Sequence, residues 1–206
     1  TQFVFTSDHG RTDTKATPQD AMFPKALNQA LTRAGYEEGH YQVVENGGVV
    51  HVYLRSKVIN ARWELEAKPV DIEAAGKQLA WDPSLKAVVQ AVAARSRGVG
   101  FGYTLVGEVP DANRISALLS GLESVNSGDL VLLLKPGRYF GNTEATGAQH
   151  GSIHPDDLSI PLVIALGGAA PGRSPAPLST TDVPTIIAAY LGFPFRPGMP
   201  LVSGQK

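Results

Sequence analysis

Short runs of consecutive apolar residues alternate along this chain with polar, glycine-rich segments. A strand that is buried on both faces of a parallel sheet has apolar side chains at successive positions. Three such runs predict core strands at Gln2–Thr6, Leu130–Leu134 and Ile160–Leu166. Two further β-rich runs, Tyr41–Glu45 and Val49–Arg55, flank an Asn-Gly turn and predict a hairpin, because Asn and Gly tolerate positive φ.

Helical patterns occupy much of the remaining chain. Proline near the start of a pattern and glycine just past its end mark helix boundaries. The patterns predict helices over Pro24–Ala34, Asp71–Leu79, Pro83–Ala94, Ile115–Leu122 and Val183–Leu191. The polar segments Thr12–Asp20 and Arg138–Gln149 predict turns or loops. Core strands combined with these helices predict a mixed α/β fold.

Composition excludes several classes of function. The 206 residues are 43% hydrophobic and 18% charged, as is ordinary for a soluble globular protein. A formal net charge of −1 gives no sign of nucleic-acid or membrane-surface binding. The absence of cysteine excludes disulfides, thiolate zinc sites and cysteine nucleophiles. No apolar run approaches the roughly 20 residues that span a bilayer. The compartment stays open.

Two segments beside predicted core strands carry side chains that bind metals. Asp8 and His9 directly follow the first strand, and His150 precedes the strand at Ile160–Leu166. Adjacent residues of a strand point to opposite faces, so Asp8 and His9 share an ion only if the chain bends, which Gly10 permits. Both are zinc ligand types. The alternative is that Asp8 caps a turn and that both histidines face solvent.

Other histidines and acids give weaker indications. His154, Asp156 and Asp157 lie close to His150 and favour a metal there, although acidic loops are common. His51 alternates with two valines, which predicts that it faces solvent, and neither His51 nor His40 is assigned a role.

Several ordered motifs resemble the alkaline phosphatase superfamily. The second metal motif of that superfamily resembles Thr6–Gly10, and its last metal motif resembles His150–Ser152 followed by Asp157–Val163. The helix that closes many members is similar to Leu178–Gly192. The strand and aromatic turn of type I phosphodiesterase/nucleotide pyrophosphatase proteins are similar to Gly128–Phe140.

The resemblance implies an architecture and a metal site. The fold would be α/β, part of an alkaline-phosphatase-like sheet flanked by helices, with residues 26–128 as an inserted hairpin and helix region or cap. Residues 1–206 would form the C-terminal part of one such domain. Two zinc ions would be bound, one by Asp8 and His9 and the other by His150, and the substrate would be a small phosphoric ester.

The resemblance also implies that part of the active site is missing. The family places its nucleophile and remaining ligands before the Asp-His-Gly motif, and only seven residues precede Asp8. We therefore expect a metal-dependent phosphoric ester hydrolase of the phosphodiesterase/nucleotide pyrophosphatase type that carries only part of its active site. The missing N-terminal portion would be its partner, and the strand Gln2–Thr6 would have an open edge.

Three alternatives to this interpretation stay open. The chain could be a catalytically incomplete domain with a binding or assembly role, or a relative of the sulfatases or of the phosphonate hydrolases. A periplasmic or secreted location is slightly favoured for the parent protein.

Overall fold

Nine strands and five α-helices occupy the residues that the computed structural model describes, which are 2–58, 62–63, 65–98, 100–140, 146–166, 172 and 178–193. The strands are β1 (Gln2–Thr6), β2 (Thr12–Lys15), β3 (Tyr41–Asn46), β4 (Val49–Leu54), β5 (Val89–Gly98), β6 (Gly100–Val106), β7 (Leu130–Leu134), β8 (Thr146–Gln149) and β9 (Leu162–Leu166). The helices are α1 (Pro18–Arg33), α2 (Pro69–Trp81), α3 (Ala112–Leu119), α4 (Pro155–Leu158) and α5 (Val183–Leu191).

The chain forms two compact units. The large unit comprises residues 10–158, and the small unit comprises residues 1–9 together with 159–206. The interpretation of residues 26–128 as an insertion or cap stays a prediction.

An antiparallel five-stranded sheet, in the order β3-β4-β7-β5-β6, organises the large unit. The central strand β7 is buried throughout. Its residues Leu130, Leu132 and Leu134 face a core cluster with helices α1 and α2, whereas Val131 and Leu133 face a second cluster with α3. Helices therefore cover both faces of the sheet, which explains why every residue of β7 is apolar.

The mixed α/β class is confirmed, but the arrangement of the predicted strands is wrong. The strands at Gln2–Thr6 and Ile160–Leu166 pair with each other in a separate two-stranded sheet, and β7 pairs with the hairpin strand β4 instead. A sheet of the alkaline phosphatase type is not identified among the described residues. The physical reason is that consecutive apolar residues indicate burial on both faces but do not fix strand direction, and every described pair is antiparallel.

Some of the predicted hairpin and helix segments are confirmed and one is wrong. The hairpin, α2, α3 and α5 are confirmed within a few residues, and Gly192 ends α5 with a φ of 75°. The helix predicted over Pro83–Ala94 is wrong, because that segment is a turn followed by β5. Alternate residues of β5 face opposite clusters, Val92 and Ala94 on one side and Ala91 and Ala93 on the other, which produces a run compatible with either period.

The small unit exposes much of its apolar surface. In the β1–β9 pair, Phe3 lies opposite Ala165 and Phe5 opposite Val163, which places all four on one face. Phe3, Phe5 and Val163 are 52%, 57% and 53% exposed. Among the described residues β1 pairs only with β9, and the open edge stays a prediction.

Candidate functional site

Asp8 and His9 converge where the chain leaves β1. The backbone bends at Asp8, so the two adjacent side chains no longer point to opposite sides. The Oδ2 atom of Asp8 lies 3.4 Å from Nε2 of His9, and the Asp8 side chain is 83% exposed. The structure thus provides a carboxylate oxygen and an imidazole nitrogen next to each other at the surface of the small unit.

Local hydrogen bonds hold this bend. The Ser7 hydroxyl donates to the His9 carbonyl at 2.7 Å, and the His9 amide donates to Oδ1 of Asp8 at 3.1 Å. Backbone N–H groups of Asp8 and His9, with the His9 imidazole beside them, lower the pKa of Asp8. Asp8 is therefore ionised across the physiological pH range, as a metal ligand must be.

His150 lies in the large unit, where its backbone rests on the β3–β4 turn. A Cβ on Gly47 would come within 1.9 Å of the His150 carbonyl oxygen, and one on Gly48 within 2.5 Å of Ser152 Cβ. A Cβ on Gly151 would in turn approach the Asn46 carbonyl oxygen to 2.7 Å. Glycine is therefore required on both sides of this contact. The β3–β4 turn therefore does more than join two strands, because it also supports the backbone of the exposed His150.

Asp157 is buried and joins the segment that follows His150 to strand β2 through hydrogen bonds. Its Oδ1 accepts a hydrogen bond from the Thr12 hydroxyl at 2.7 Å, and its Oδ2 accepts one from the Ser152 amide at 2.7 Å. Burial alone would raise the pKa of Asp157, but these hydrogen bonds and the nearby His154 outweigh it and lower the pKa. The Asp157 carbonyl also accepts a bond from the Gly10 amide at 2.8 Å.

His154 also has a structural role. It is buried, and its Nε2 donates to the Leu134 carbonyl at 3.0 Å, because a carbonyl oxygen can only accept. Its amide donates to the Ser152 hydroxyl oxygen at 3.1 Å. The cluster of His154 and Asp157 that favoured a metal in the sequence is thus engaged in stabilising the loop.

The predicted ligands are divided between the two units. Asp8 and His9 belong to the small unit and His150 belongs to the large one. Within each unit, the described residues contain no group of three or more His, Asp or Glu side chains able to hold a metal ion. The prediction that Asp8, His9 and His150 serve one binuclear zinc site stays a prediction.

The residues that sequence analysis missed are those that join distant parts of the chain. Thr12 and Thr14 lie in β2, which was predicted to be a turn, and β2 pairs with β8 far along the chain. His51 was predicted to face solvent, yet it is half-buried and its Nδ1 accepts a bond from the Gly128 amide at 3.2 Å. The adjacent glycines Gly47 and Gly48 are visible in the sequence, but the sequence does not show that they pack against His150 and Ser152.

Comparisons with known proteins give little support to any family. No family model matches the chain, and no solved structure matches it. One curated protein, a calcium-transporting ATPase of Myroides odoratus, is 31% identical over 81 residues, which are 39% of this chain and 15% of that protein. The chain therefore matches only a small part of that protein. No helix in the described part of the chain is long and apolar enough to cross a membrane.

These comparisons overturn the assignment to the alkaline phosphatase superfamily and to its type I phosphodiesterase/nucleotide pyrophosphatase branch. A member would be expected to match a family model, and the protein that does match carries a different name. The physical reason for the error is that short motifs such as Asp-His-Gly and His-Gly require few residues. Such motifs therefore also occur in chains without the sheet of that family.

Proposed function

We propose that this chain supplies ligands to a metal site that hydrolyses phosphoric esters, and that it carries only part of that site. The observation that carries the proposal is the 3.4 Å separation between Asp8 Oδ2 and His9 Nε2. Two ligand atoms that each lie about 2.0–2.1 Å from a tetrahedral zinc are separated by roughly 3.3 Å. The separation of the pair therefore matches that of two ligand atoms in adjacent coordination positions.

The ligand types support zinc over harder cations. An imidazole nitrogen beside a single carboxylate suits zinc, whereas calcium prefers six to eight oxygen ligands. A bound zinc ion would supply Lewis acidity toward a phosphoryl oxygen. Asp8 and His9 would hold that ion, Asp8 through its charged carboxylate and His9 through a ring nitrogen, and the hydrogen bond from Ser7 to the His9 carbonyl stabilises the bend between them.

The remaining parts of the proposed site rest on the sequence. A role of His150 as ligand of a second zinc ion stays a prediction, and the catalytic nucleophile is not identified. Thr6, Ser7 and Ser152 carry hydroxyls nearby in sequence, but Ser7 is hydrogen bonded to His9 and Ser152 to His154.

The test measures the binding of zinc and of inorganic phosphate to the same sample. Isothermal titration should show zinc binding to the chain, and inorganic phosphate should bind only after zinc is added. His9→Ala and Asp8→Asn should each weaken zinc binding at least about tenfold, since each removes a ligand or its charge. His40→Ala is the matched control, because His40 was assigned no role. Hydrolysis of bis(p-nitrophenyl) phosphate should be near background for this incomplete site.

Three outcomes would contradict the proposal or a part of it. Zinc affinity that is unchanged in both His9→Ala and Asp8→Asn would exclude these residues as ligands. Zinc binding without any zinc-dependent phosphate binding would leave a metal site of another kind. Robust hydrolysis that disappears in His9→Ala would show instead that the chain contains its own nucleophile, with the three hydroxyls named above as the first candidates.

A second candidate is a binding or assembly role without catalysis. The exposed face of Phe3, Phe5 and Val163 favours it, because contiguous apolar surface often marks an interaction site. Sedimentation velocity distinguishes the candidates: self-association that is abolished by Phe3→Ser with Phe5→Ser, in a chain that does not bind zinc, would favour assembly.

A further inference from the structure

Two cavities flank the indole of Trp81 at the C-terminal end of α2, within the large unit. One has a volume of about 340 Å³ and the other about 550 Å³, and Trp81, Val106 and Gly107 line both. Volumes of about 300–1,000 Å³ are typical of sites for small ligands. We call these two cavities the smaller and the larger compartment.

Trp81 is available as a flat binding surface. Its side chain is 61% exposed, although burying an indole would be favourable. Gly107 has a φ of +81°, and a Cβ built there would meet Cζ2 of Trp81 at 3.9 Å. The absence of a side chain at Gly107 thus keeps the space beside the ring open. An exposed aromatic ring next to a cavity is a stacking partner for a planar ligand.

Two lysines line the smaller compartment. Lys86 Nζ lies 5.9 Å from the centroid of the Trp81 ring, and Lys135 Nζ donates to the Lys86 carbonyl at 2.5 Å. Neither ammonium forms an ion pair with a carboxylate of the described residues. Asp82 lines the same compartment, but Arg33 neutralises it with an Nε–Oδ2 bond of 3.0 Å. Glu108 is the remaining acid there.

The larger compartment differs in character. Glu73, Lys77 and Trp81 lie four residues apart on one stripe of α2, and Glu73 and Lys77 pair with each other at 2.6 Å. Opposite them, Thr104, Leu105 and Val106 of β6 form a wall. The charges of Glu73 and Lys77 are paired, and the buried Arg95 also lines this compartment. The compartment therefore suits a planar ring that carries a few hydrogen-bond acceptors.

We propose that these two compartments bind a nucleoside monophosphate. Its base stacks on Trp81 in the larger compartment, and its phosphate lies beside Lys86 and Lys135 in the smaller one. Lysine ammonium groups bind phosphate as point charges, and aromatic stacking accepts any base. This site contains none of Asp8, His9 or His150, so the inference does not depend on the proposed function.

The experiment uses the two tryptophans of the chain, Trp63 and Trp81. In Trp63→Phe, Trp81 is the only tryptophan, and its fluorescence reports directly on the site. Titration with adenosine monophosphate in the presence of a chelator should quench it saturably, and adenosine should bind about tenfold more weakly. Lys86→Ala with Lys135→Ala should weaken the nucleotide about tenfold and leave adenosine unchanged. Lys25→Ala, an exposed lysine of α1 that lines neither cavity, is the control.

Calorimetry on the unaltered chain provides a second measurement that needs no tryptophan replacement. Adenosine monophosphate should bind the unaltered chain and bind Trp81→Phe about threefold or more weakly, with far-ultraviolet circular dichroism confirming that the variant is folded. No saturable binding up to about 5 mM would overturn the inference. Equal affinity in the unaltered chain and in the double lysine variant would also overturn it.

Discussion

The two units of this protein use similar sequence patterns with different results. In the large unit, the apolar run Leu130–Leu134 is the fully buried centre of a five-stranded sheet. In the small unit, the apolar run of β1 pairs only with β9 among the described residues, and Phe3 and Phe5 are more than half exposed. An apolar run therefore gives the capacity for burial, while the neighbouring elements decide whether burial occurs.

The difference also separates two kinds of polar side chain. In the large unit, Asp157 and His154 are buried and each is held by hydrogen bonds. In the small unit, Asp8 is exposed and lies close to His9. Buried, hydrogen-bonded polar residues are expected to stabilise a fold. Exposed polar residues are expected where a ligand must exchange water for a metal ion.

The largest expected effect compares matched strand positions of the two units. Leu132→Ala should lower the free energy of unfolding by about 2–5 kcal/mol, because it leaves a cavity at a fully buried site. Val163→Ala should change it by about 0.5 kcal/mol or less, because the side chain is half exposed. Urea denaturation followed by circular dichroism measures both. Equal effects would remove the distinction between the units.

An intermediate effect is expected at Asp157. Asp157→Asn replaces one acceptor oxygen by a donor, so the Thr12 hydroxyl or the Ser152 amide loses its partner, at a cost of about 2–3 kcal/mol. Because the pKa of Asp157 is lowered by folding, its contribution is present above a pH of about 4 and is lost as pH falls through the folded-state pKa.

Acid titration of unfolding provides the measurement for Asp157. Stability of the unaltered chain should fall more steeply between about pH 5 and pH 3 than that of Asp157→Asn. The exposed neighbour Asp156 supplies the control, since Asp156→Asn should follow the unaltered chain. An equal pH dependence of stability in Asp157→Asn and Asp156→Asn would show that the Asp157 carboxylate does not stabilise the fold through its hydrogen bonds.

The smallest expected effect concerns His51. Burial, with Arg95 nearby, lowers the pKa of His51, whose neutral ring accepts the Gly128 amide. The unfolded chain therefore binds this proton first, and stability falls as the pH drops from about 7 through the folded-state pKa, by less than about 1 kcal/mol. Stability measured at pH 7.5 and pH 5 should change less in His51→Gln, and His40→Gln should resemble the unaltered chain. A larger pH effect in His51→Gln would contradict the assignment.

Local signals in the sequence were sufficient for part of this fold. The Asn-Gly turn between β3 and β4 and the glycine that ends α5 depend on a few adjacent residues, and both were predicted. The bend that brings Asp8 to His9 was foreseen as a condition for metal binding. These features depend on backbone conformations that single residue types favour.

Features that depend on distant partners could not be predicted. The strand β2 is short and polar, and it is a strand only because Thr14 and its neighbours pair with β8. The register of Val92 and Ala93 against β7 converts an apparent helix into β5. The close approach of Gly47 to His150 likewise depends on two segments about a hundred residues apart. No local pattern records which distant segment will be present.

The hydrogen bond between Thr12 and Asp157 has a consequence for the order of folding. These residues are 145 positions apart, so joining them early would cost about 4 kcal/mol in chain entropy for a flexible loop, before other contacts offset it. Nearby pairs such as the β3–β4 hairpin form a loop of a few residues and meet far sooner. The ends of the large unit are therefore expected to come together last. The segment that carries His150 then reaches its final position only after the sheet beneath it has assembled.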